Sequence, residues 1–378
     1  MRVAEGRDAR VYSVDLVARP SSGSTGVGRY AVALQRELCA LGVDAQLRPS
    51  FDRALPLGLT AWLGARGWDA RAFLASYPPF VPHRRHSIMH LTAQTFACAL
   101  WMQPGAVVTV HDLFPRDDAH RGRAVLTRLV DGLARLGLRR ATAIVTGSQA
   151  TAAICRARGL GGQHGVTAAA YGVDHDTFRR QRVPERYTAS LNLPVGAPLL
   201  LYVGTEAPRK RVDALIHVLA RLRHGSFPNA VLLKVGAASD GARREELRAL
   251  AGALDVASGI RWLDRVSEQE LVWLYNLALI YVSAAEREGF GLPLLEAMAS
   301  GCPVVATDLP SHQEIVGRTG DLAPVGDEAA IERAVTTLLR ESDRRETLAA
   351  LAIERAALFT WRRTAETVAT VYARLSRP

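Results

Sequence analysis

The sequence predicts an α/β protein with two doubly wound parallel-sheet domains that face each other across a cleft. The chain has 378 residues, which is longer than a single hydrophobic core usually supports. Short apolar, β-branched runs alternate with helical patterns, which is typical of a parallel sheet with helices on both faces. The series stops at a polar, proline-bearing stretch, 179–198, and then starts again. The sequence therefore indicates two successive domains of the same class, 1–182 and 183–362.

The first domain has four predicted strands and three predicted helices. The strands are Val11–Val14, Ser87–His90, Val107–Val110 and Ala143–Thr146. The helices are Arg29–Leu41, Arg123–Leu138 and Gln149–Arg158. The strands consist largely of apolar or β-branched residues, as buried strands do.

The second domain repeats this pattern. Its predicted strands are Leu199–Val203, Ala230–Val235, Leu279–Val282 and Pro303–Ala306. Its predicted helices are Val212–Arg223, Arg243–Ala253, Glu268–Leu277, Pro293–Ser300 and Glu328–Arg340, and a last helix follows at Thr364–Leu375. In open parallel sheets, ligands bind at the carboxyl ends of strands. Polar or glycine-rich residues follow several strands here, at His111–Asp112, Gly147–Ser148, Gly204–Lys210 and Glu286–Gly291.

The segment 288–296 is the most informative stretch of the second domain. It places Glu288 and Glu296 eight residues apart, with a glycine-containing loop and Pro293 between them. Pro293 suits the first position of a helix, and Gly301 suits the residue just past its end. Glycine lets the loop backbone approach a ligand closely, and a helix N-terminus attracts anions. The segment therefore predicts a phosphate seat beside two acceptors for hydroxyl groups, as a nucleotide-sugar pocket requires.

The net charge of +10 is concentrated in the N-terminal half. Residues 1–180 contain 23 arginines and 13 acidic residues, whereas basic and acidic residues balance in the remainder. Arginines and leucines interleave over 121–140, which predicts a basic amphipathic helix. We favour a solvated basic face with the leucines toward the core, while a peripheral contact with the inner face of a membrane stays open. We expect no nucleic-acid partner, since the chain shows no recognition motif or aromatic platform.

Composition excludes several other classes of protein. No apolar segment reaches the roughly 18 residues of a membrane span, and the N-terminus lacks the apolar core of a signal peptide. The four cysteines show no paired spacing, which predicts neither a disulfide framework nor a zinc site. We therefore expect a cytoplasmic protein. Only Lys210 and Lys234 among the 47 basic residues are lysines. Because a basic position with no special role would be arginine in this chain, a specific role is expected for these two lysines.

Several motifs, taken in chain order, closely resemble those of the retaining glycosyltransferases of family GT4, which have the GT-B fold of two Rossmann-like domains. They are Thr25–Tyr30, Val110–Leu113, Tyr171–Asp174 with Phe178, Tyr202–Lys210, Glu288–Glu296 and Phe359–Trp361. The last motif resembles the point where the family's chain crosses back, which implies that a helix within 363–378 completes the first domain. Thr205 stands where the family often has arginine, and Arg209 is expected to compensate.

The resemblance implies transfer of a hexosyl group, with retention, from a nucleotide diphosphate sugar to an acceptor. The second domain would bind the donor and the first a glycan, lipid-linked or small-molecule acceptor. The stretch Glu206–Lys210 faintly resembles enzymes that use GDP-mannose, and UDP-sugars stay open. No metal ion or cofactor is expected, because Arg209 and Lys210 supply the cations. Same-face attack is favoured, with the leaving phosphate helping to deprotonate the acceptor.

The resemblance also implies roles for individual residues. Catalytic roles would fall to Glu288 and His111 at the transferred sugar and to Arg209 and Lys210 at the diphosphate. Donor binding would further involve Gly204 and Thr205 of the diphosphate loop, the amides of Gly289, Phe290, Gly291 and Leu292, the ribose acceptor Glu296, the base contact Val266, and Gly26 and Gly28 of the first domain, whose backbone would approach the β-phosphate.

Two kinds of alternative stay open at this point. One is a GT-B nucleotide-sugar epimerase or phosphorylase, although a phosphorylase needs a lysine for pyridoxal phosphate and Lys234 lies on a predicted strand. The other is a non-catalytic scaffold that binds a sugar or lipid. The sequence Asp174-His-Asp176 matches a metal-binding pattern of another glycosyltransferase fold, and here it is expected to be structural.

Overall fold

The computed structural model describes residues 12–19, 26–51, 70–113, 124–238 and 241–376. The chain divides into two compact units. Within the described residues, unit 1 comprises 12–113, 125–170 and 361–376, and unit 2 comprises 124 and 171–360. Each unit contains one parallel sheet of six strands.

Unit 1 has the strand order β2-β1-β3-β4-β5-β6. The strands are β1 (Ser13–Ala18), β2 (Asp44–Pro49), β3 (Ile88–Leu91), β4 (Val107–Val110), β5 (Ala143–Thr146) and β6 (Val166–Ala168). The helices are α1 (Gly26–Ala40), α2 (Ala70–Ser76), α3 (Ala124–Gly137), α4 (Gln149–Ala157) and the returning α13 (Trp361–Leu375). The central strands are fully buried, as at Leu16, Val108 and Ile144. Val11, Arg121 and Arg123, which the sequence assigned to elements of this domain, lie outside the described residues.

Unit 2 has the strand order β12-β11-β10-β7-β8-β9. The strands are β7 (Leu199–Val203), β8 (Val231–Val235), β9 (Ile260–Leu263), β10 (Ile280–Ser283), β11 (Val304–Thr307) and β12 (Asp321–Ala323). The helices are α5 (Glu185–Ser190), α6 (Val212–His224), α7 (Gly241–Ala253), α8 (Glu268–Leu277), α9 (Leu292–Ala299), α10 (Pro310–Val316), α11 (Glu328–Arg340) and α12 (Ser342–Ala356). The predicted α/β class with two parallel sheets is confirmed.

The units divide at 170/171, twelve residues before the division at 182/183 taken from the sequence. The residues between these two points pack within unit 2. The ring of Tyr171 lies 5.0 Å from that of Phe290, and the ring of Phe178 lies 6.0 Å from that of Tyr275. The proline-bearing stretch therefore follows the division, because aromatic contacts attach the preceding residues to the second sheet.

Helix α9 spans Leu292–Ala299, one residue earlier than the predicted Pro293–Ser300, and Gly301 lies just past its end as predicted. Gly291 is its N-cap in a left-handed conformation, with φ of 112°, and proline occupies the first turn. At the other end, the amide of Gly301 donates to the carbonyl of Met298, and the amide of Cys302 donates to the carbonyl of Ala297. With φ of 72° at Gly301, these bonds form a Schellman motif.

Substitution of Gly301 by alanine should lower the free energy of unfolding by about 1–2 kcal/mol, because a Cβ disfavours the left-handed conformation. The added Cβ would also lie 2.5 Å from Nε of Arg180. Chemical denaturation measures the change. Gly252→Ala in α7 is the matched control, since its Cβ meets nothing within 4 Å, and it should leave stability unchanged or raise it by up to about 1 kcal/mol. Equal effects of the two substitutions would contradict this account of the helix end.

Candidate functional site

The loops after β7 and β10 form the candidate site of unit 2. From β7 the chain proceeds outward through β8 to β9, and it then crosses to β10 on the other side of β7. β7 and β10 are therefore the neighbouring strands at which the winding direction reverses. In doubly wound sheets, the carboxyl ends of such strands are where ligands bind.

Four contacts join these two loops. The amide of Glu286 donates to the carbonyl of Arg209 at 2.8 Å, and Nη1 of Arg209 donates to the carbonyl of Arg287 at 3.4 Å. Nζ of Lys210 forms an ion pair with Oε2 of Glu288, and Nη1 of Arg211 donates to Oε1 of Glu286 at 2.7 Å. The structure thus brings together three residues to which catalytic roles were assigned from the sequence: Arg209, Lys210 and Glu288.

The electrostatics of this corner keep Glu288 ionised. Burial acts to raise the pKa of this carboxyl group, but the charge and hydrogen bond of Lys210, together with the charge of Arg209, outweigh burial. The pKa of Glu288 is therefore below its usual value. An ionised carboxylate at this point is a strong acceptor for hydroxyl groups.

A short loop, 289–291, leads from Glu288 into the first turn of α9, which has the geometry of an anion seat. Gly289, Phe290 and Gly291 are buried, and Leu292 is half-buried. Oγ of Ser311 donates to the carbonyl of Glu288 at 2.9 Å, which fixes the start of this loop. The first amides of a helix have no partner within the helix and carry a partial positive charge. The amides of Gly291 and Leu292 can therefore act as backbone donors toward phosphates or sugar hydroxyls, and the loop 289–290 leads the chain to them.

Glu296 lies deeper in the same helix. Its side chain is 3% exposed, and Oη of Tyr275 donates to its Oε2 at 3.0 Å. A structural role for this carboxylate is therefore clear from the contact with α8. A ligand hydroxyl would have to share this buried carboxylate with Tyr275.

The backbone after β7 is shaped by a close approach at Gly204. A Cβ there would lie 2.6 Å from Oη of Tyr202, and the same hydroxyl donates to the carbonyl of Thr205 at 2.9 Å. Glycine is thus required for the turn that leads to Arg209 and Lys210. Val266 lies in a different loop, the one that joins β9 to the Ser267 cap of α8, and it is half-buried there.

The sequence-based interpretation missed His312. This residue of α10 is 1% exposed, and its Nδ1 donates to the carbonyl of Thr307 at 2.8 Å. Burial lowers the pKa of its imidazole, although the charge of Glu288 acts in the opposite direction. A lone histidine in a helix gives little signal in a sequence; the one available indication was that its helix begins shortly after the end of β11.

A buried charged cluster, also missed, lies under the loop after β7. Oε1 of Glu206 is 2.6 Å from Nζ of Lys234 and 2.5 Å from Nη2 of Arg244. Arg244 also reaches Asp264 at 2.7 Å, and its guanidinium lies over the ring of Trp262. The specificity for lysine at position 234 follows from this fully buried pairing, which gives Lys234 a structural role.

In unit 1, His111 follows β4 as predicted. Its Nε2 donates to the carbonyl of Thr92 at 2.8 Å, and the ring of Tyr30 packs edge-on against it at 5.3 Å. Burial lowers the pKa of His111 to about 4, so the imidazole is neutral near pH 7. Gly26 and Gly28 lie within the first turn of α1, whereas the sequence placed them in a loop before it. Both glycines therefore still lie at the N-terminus of α1.

A buried polar chain fixes the returning helix α13 to the sheet of unit 1. Nδ1 of His90 bonds to Oη of Tyr372 at 2.5 Å, and Nε2 bonds to Oγ1 of Thr109 at 2.7 Å. Tyr30 continues the chain to Thr109 at 2.8 Å. Burial lowers the pKa of His90 to about 3, with a further contribution from His111.

Unit 1 should lose stability as the pH falls below about 6.5, the ordinary pKa of histidine. His90 binds its proton more weakly in the folded than in the unfolded chain, so acid favours unfolding, by up to about 2 kcal/mol near pH 5. Thermal unfolding between about pH 7.5 and pH 5 measures this loss. The variant His90→Gln, which lacks the titrating group, should show a smaller dependence on pH. An equal dependence in both proteins would rule out His90 as the cause.

The basic helix α3 differs from the favoured interpretation of its leucines. Leu129, Leu133 and Leu136 are 59%, 41% and 48% exposed. Ala134 is buried instead, so a small residue of α3 faces the core while these three leucines point outward. The favoured interpretation, in which the leucines face the core, is therefore wrong for Leu129, Leu133 and Leu136.

An exposed tryptophan contacts the backbone of this helix. Trp101 and Met102 are 45% and 75% exposed, and Nε1 of Trp101 donates to the carbonyl of Leu133 at 3.1 Å. The guanidinium of Arg140 lies 5.4 Å from the Trp101 ring centroid. Within the described residues, no helix is long and apolar enough to cross a membrane.

Comparison with known proteins relates unit 2 to one family. The family described as glycosyl transferases group 1 matches residues 184–355. The chain is 32% identical over 211 residues to a D-inositol 3-phosphate glycosyltransferase of Corynebacterium urealyticum, covering 54% of this chain and 50% of the relative. In that match the chain spans about half the relative's length. A protein of the same name from Corynebacterium diphtheriae is 27% identical over 397 residues, covering 94% of this chain and 91% of the relative.

Solved structures show the same fold along nearly the whole chain. Sucrose-phosphate synthase from Thermosynechococcus elongatus superposes with a TM-score of 0.72 at 22% identity, covering 96% of this chain and 99% of that one. Anabaena HepE in complex with UDP-glucose superposes with a TM-score of 0.69 at 17% identity, covering 96% and 99%. Residues 184–355, which form most of unit 2, therefore match the glycosyl transferases group 1 family, within a chain that has the GT-B fold.

Proposed function

We propose that this protein is a retaining glycosyltransferase that moves a hexosyl group from a nucleotide diphosphate sugar to an acceptor. The observation that carries the proposal is the corner formed by Arg209, Lys210 and Glu288 at the start of α9. It combines two cations, a helix N-terminus and an ionised carboxylate at the carboxyl ends of the two central strands of unit 2. The match of residues 184–355 to the glycosyl transferases group 1 family supports the same reaction class.

The proposed chemistry uses this corner to stabilise the leaving group. Negative charge builds up on the diphosphate as the bond to C1 of the sugar breaks, and the sugar becomes oxocarbenium-like. Lys210, Arg209 and the amides of 289–292 stabilise the diphosphate, since fixed donors need little reorganisation during the reaction. Glu288 accepts hydrogen bonds from the sugar hydroxyls. The protein's own cations supply the charge that a metal ion supplies in other transferases.

Retention follows in this proposal from attack on the same face that the leaving group departs from. The departing phosphate oxygen accepts the proton of the acceptor hydroxyl, so that no side-chain nucleophile is required. His111, neutral at pH 7, is the proposed contact to the outer hydroxyls of the sugar, and unit 1 takes the acceptor. Isolation of a covalent glycosyl adduct on a side chain would contradict this mechanism.

The donor is proposed as GDP-mannose or a UDP-hexose. The sequence around Lys210 favours the mannosyl donor, while the related HepE is described as a complex with UDP-glucose. The proposed acceptor is a glycan, a lipid-linked sugar or a small polyol. An acceptor such as an inositol phosphate is suggested by the names of the relatives from Corynebacterium.

Slow hydrolysis of the donor tests the proposal without knowledge of the acceptor. The purified chain is incubated separately with GDP-mannose, UDP-glucose and ADP-glucose, with and without a chelator of divalent metals. A transferase releases free hexose and nucleoside diphosphate from one of them, equally well with the chelator. An epimerase would release a changed sugar nucleotide, and a scaffold would release nothing. Either of these two outcomes would overturn the proposal.

We also propose that α3 docks unit 1 on an anionic membrane surface. The exposed leucines of α3 with Trp101 and Met102 form an apolar face, and Arg139 and Arg140 are exposed at its end. An apolar face bordered by arginine and tryptophan is the pattern of helices that lie in the interface of anionic bilayers. The basic excess of the N-terminal half has the matching sign.

Replacing Leu133 and Leu136 together by glutamate should weaken binding to anionic vesicles about 10-fold or more, because burial of two leucines and attraction to the surface are both lost. Flotation with phosphatidylglycerol vesicles measures binding, and pure phosphatidylcholine vesicles should bind little. Val195→Glu is the matched control, since Val195 is an exposed apolar residue of unit 2. Binding that this pair of substitutions leaves unchanged would argue against the docking face.

A further inference from the structure

Arg211 has an unusual backbone conformation for its residue type. It lies between the single turn Pro208–Lys210 and helix α6, with φ of 50° and ψ of 48°. Glycine and asparagine accept this left-handed region easily, whereas arginine does so at a cost. Such conformations persist where surrounding contacts determine them, and they occur often at functional sites. The side chain of Arg211 supplies such contacts.

The guanidinium of Arg211 binds three carboxylates from three parts of unit 2. Nη1 donates to Oε1 of Glu286 at 2.7 Å, in the loop after β10. Nε donates to Oδ2 of Asp213 at 2.9 Å, in the first turn of α6. Nη2 donates to Oε1 of Glu328 at 3.3 Å, at the start of α11. Each of these nitrogens thus has its own acceptor.

The three carboxylates differ in what else holds them. Asp213 also binds Nη2 of Arg243 at 2.8 Å, and Glu328 also binds Nδ1 of His217 at 2.9 Å. For the carboxylate of Glu286, Arg211 is the one partner among the described residues. Loss of Arg211 would therefore leave the other two acids paired and release Glu286.

Arg211 and Glu286 are close in sequence to the residues that form the proposed reaction corner. Arg211 directly follows Lys210, and Glu286 precedes Glu288 by two residues. The backbone bond from Glu286 to Arg209 lies beside the side-chain pair. The pair thus joins the loop after β7 to the loop after β10, next to the residues proposed to bind the diphosphate and the sugar.

We infer that Arg211 is a positioning residue, which through Glu286 sets the distance between Lys210 and Glu288 for the transfer. The inference rests on the proposed function of that corner. The left-handed turn at Arg211 directs the preceding cations toward the ligand, and the ion pair ties them to the loop that bears Glu288. Catalytic groups displaced by a fraction of an ångström lose rate before they lose binding, because transition-state contacts are the more demanding ones.

The test compares four variants with the intact chain: Arg211→Asn, Glu286→Gln, Glu328→Gln and the double variant Arg211→Asn with Glu286→Gln. Asparagine accepts the left-handed conformation, so the first variant removes the ion pairs without adding strain. Glu328→Gln is the matched control, since it removes another acid from the same guanidinium but leaves the Glu286 pair. Donor hydrolysis supplies kcat and KM, titration supplies the dissociation constant of the nucleoside diphosphate, and thermal unfolding supplies stability.

We expect Arg211→Asn and Glu286→Gln each to lower kcat about 10-fold, with a change of less than about 3-fold in nucleoside diphosphate binding. The double variant should be no worse than either single one, because both break the same link. Glu328→Gln should keep kcat within about 2-fold of the intact chain, even if its thermal midpoint falls equally. If Arg211→Asn does not fold, Glu286→Gln against Glu328→Gln decides the question.

Two outcomes would overturn the inference. One is equal kcat in Glu286→Gln and Glu328→Gln, which would reduce Arg211 to a stabilising residue. The other is recovery of kcat in the double variant, which would mean that Arg211 only neutralises the charge of Glu286. An intact chain that neither hydrolyses a donor nor binds a nucleoside diphosphate would instead remove the proposed function itself.

Discussion

Replacement of Lys210 by methionine should lower kcat for donor hydrolysis and transfer about 100- to 1,000-fold, the range found when one preorganised donor to a developing negative charge is removed. Methionine keeps most of the length of the side chain and removes its charge. The leaving diphosphate then loses the cation placed beside the start of α9, and Arg209 alone remains. Initial rates of nucleoside diphosphate release, compared at saturating donor, measure the effect.

The control for Lys210 is a basic residue of the same unit away from the corner. Arg221 lies on α6 and is exposed, so Arg221→Met removes one positive charge without touching the loops after β7 and β10. Its rate should match that of the intact chain. A Lys210→Met protein that folds normally and retains full kcat would show that the diphosphate is not stabilised here.

Replacement of Glu288 by glutamine should affect rate and binding in opposite directions. Transfer should fall about 100-fold or more, because a neutral amide accepts hydrogen bonds from the sugar hydroxyls less strongly than a carboxylate does. Binding of the bare nucleoside diphosphate should tighten several-fold. The reason is the ion pair in which Lys210 is held by Glu288; without that carboxylate, the lysine is available to the phosphates and a repulsive charge is gone.

Titration with UDP and GDP, together with hydrolysis rates, separates these two effects. Glu346→Gln, a change of the same kind at an exposed position of α12, should alter neither quantity. Weaker nucleoside diphosphate binding in Glu288→Gln would mean that the carboxylate orders the seat rather than competing for Lys210.

The sequence predicted the central strands of both sheets and missed those at the edges. β2 and β6 border the first sheet, and β9 and β12 border the second. A central strand is buried on both faces and reads as a continuous apolar run, as at β7. An edge strand is partly exposed, as at β2, and mixes polar with apolar residues. Its position at the edge follows from tertiary packing, which a local apolar pattern does not record.

The sequence predicted those site residues that have an informative neighbour along the chain. Glu288 and Lys210 stand out because each follows a strand and lies near glycine or another cation. Arg211, His312 and the Glu206 cluster were missed, because their roles depend on partners distant in sequence: Arg211 meets Glu286 and Glu328, which lie 75 and 117 residues further on. The left-handed backbone of Arg211 is visible only in the folded chain, so no residue pattern indicated it.

The direction of the leucines on α3 was wrong for a related reason. Periodicity showed that one face of the helix is apolar, but burial of a face requires a surface for it to cover. Ala134 faces the core and Leu133 does not, so the smaller residue permits close packing of the helix on unit 1. An amphipathic pattern therefore predicts that a face is apolar without deciding whether protein or membrane covers it.

The most direct test of the central claim is a crystal structure of the chain with a hydrolysed donor, GDP or UDP, bound in unit 2. The account predicts that the β-phosphate lies within hydrogen-bond distance of Nζ of Lys210 and of a backbone amide among residues 289–292. Phosphates bound elsewhere in the chain, with Lys210 still paired to Glu288, would contradict it.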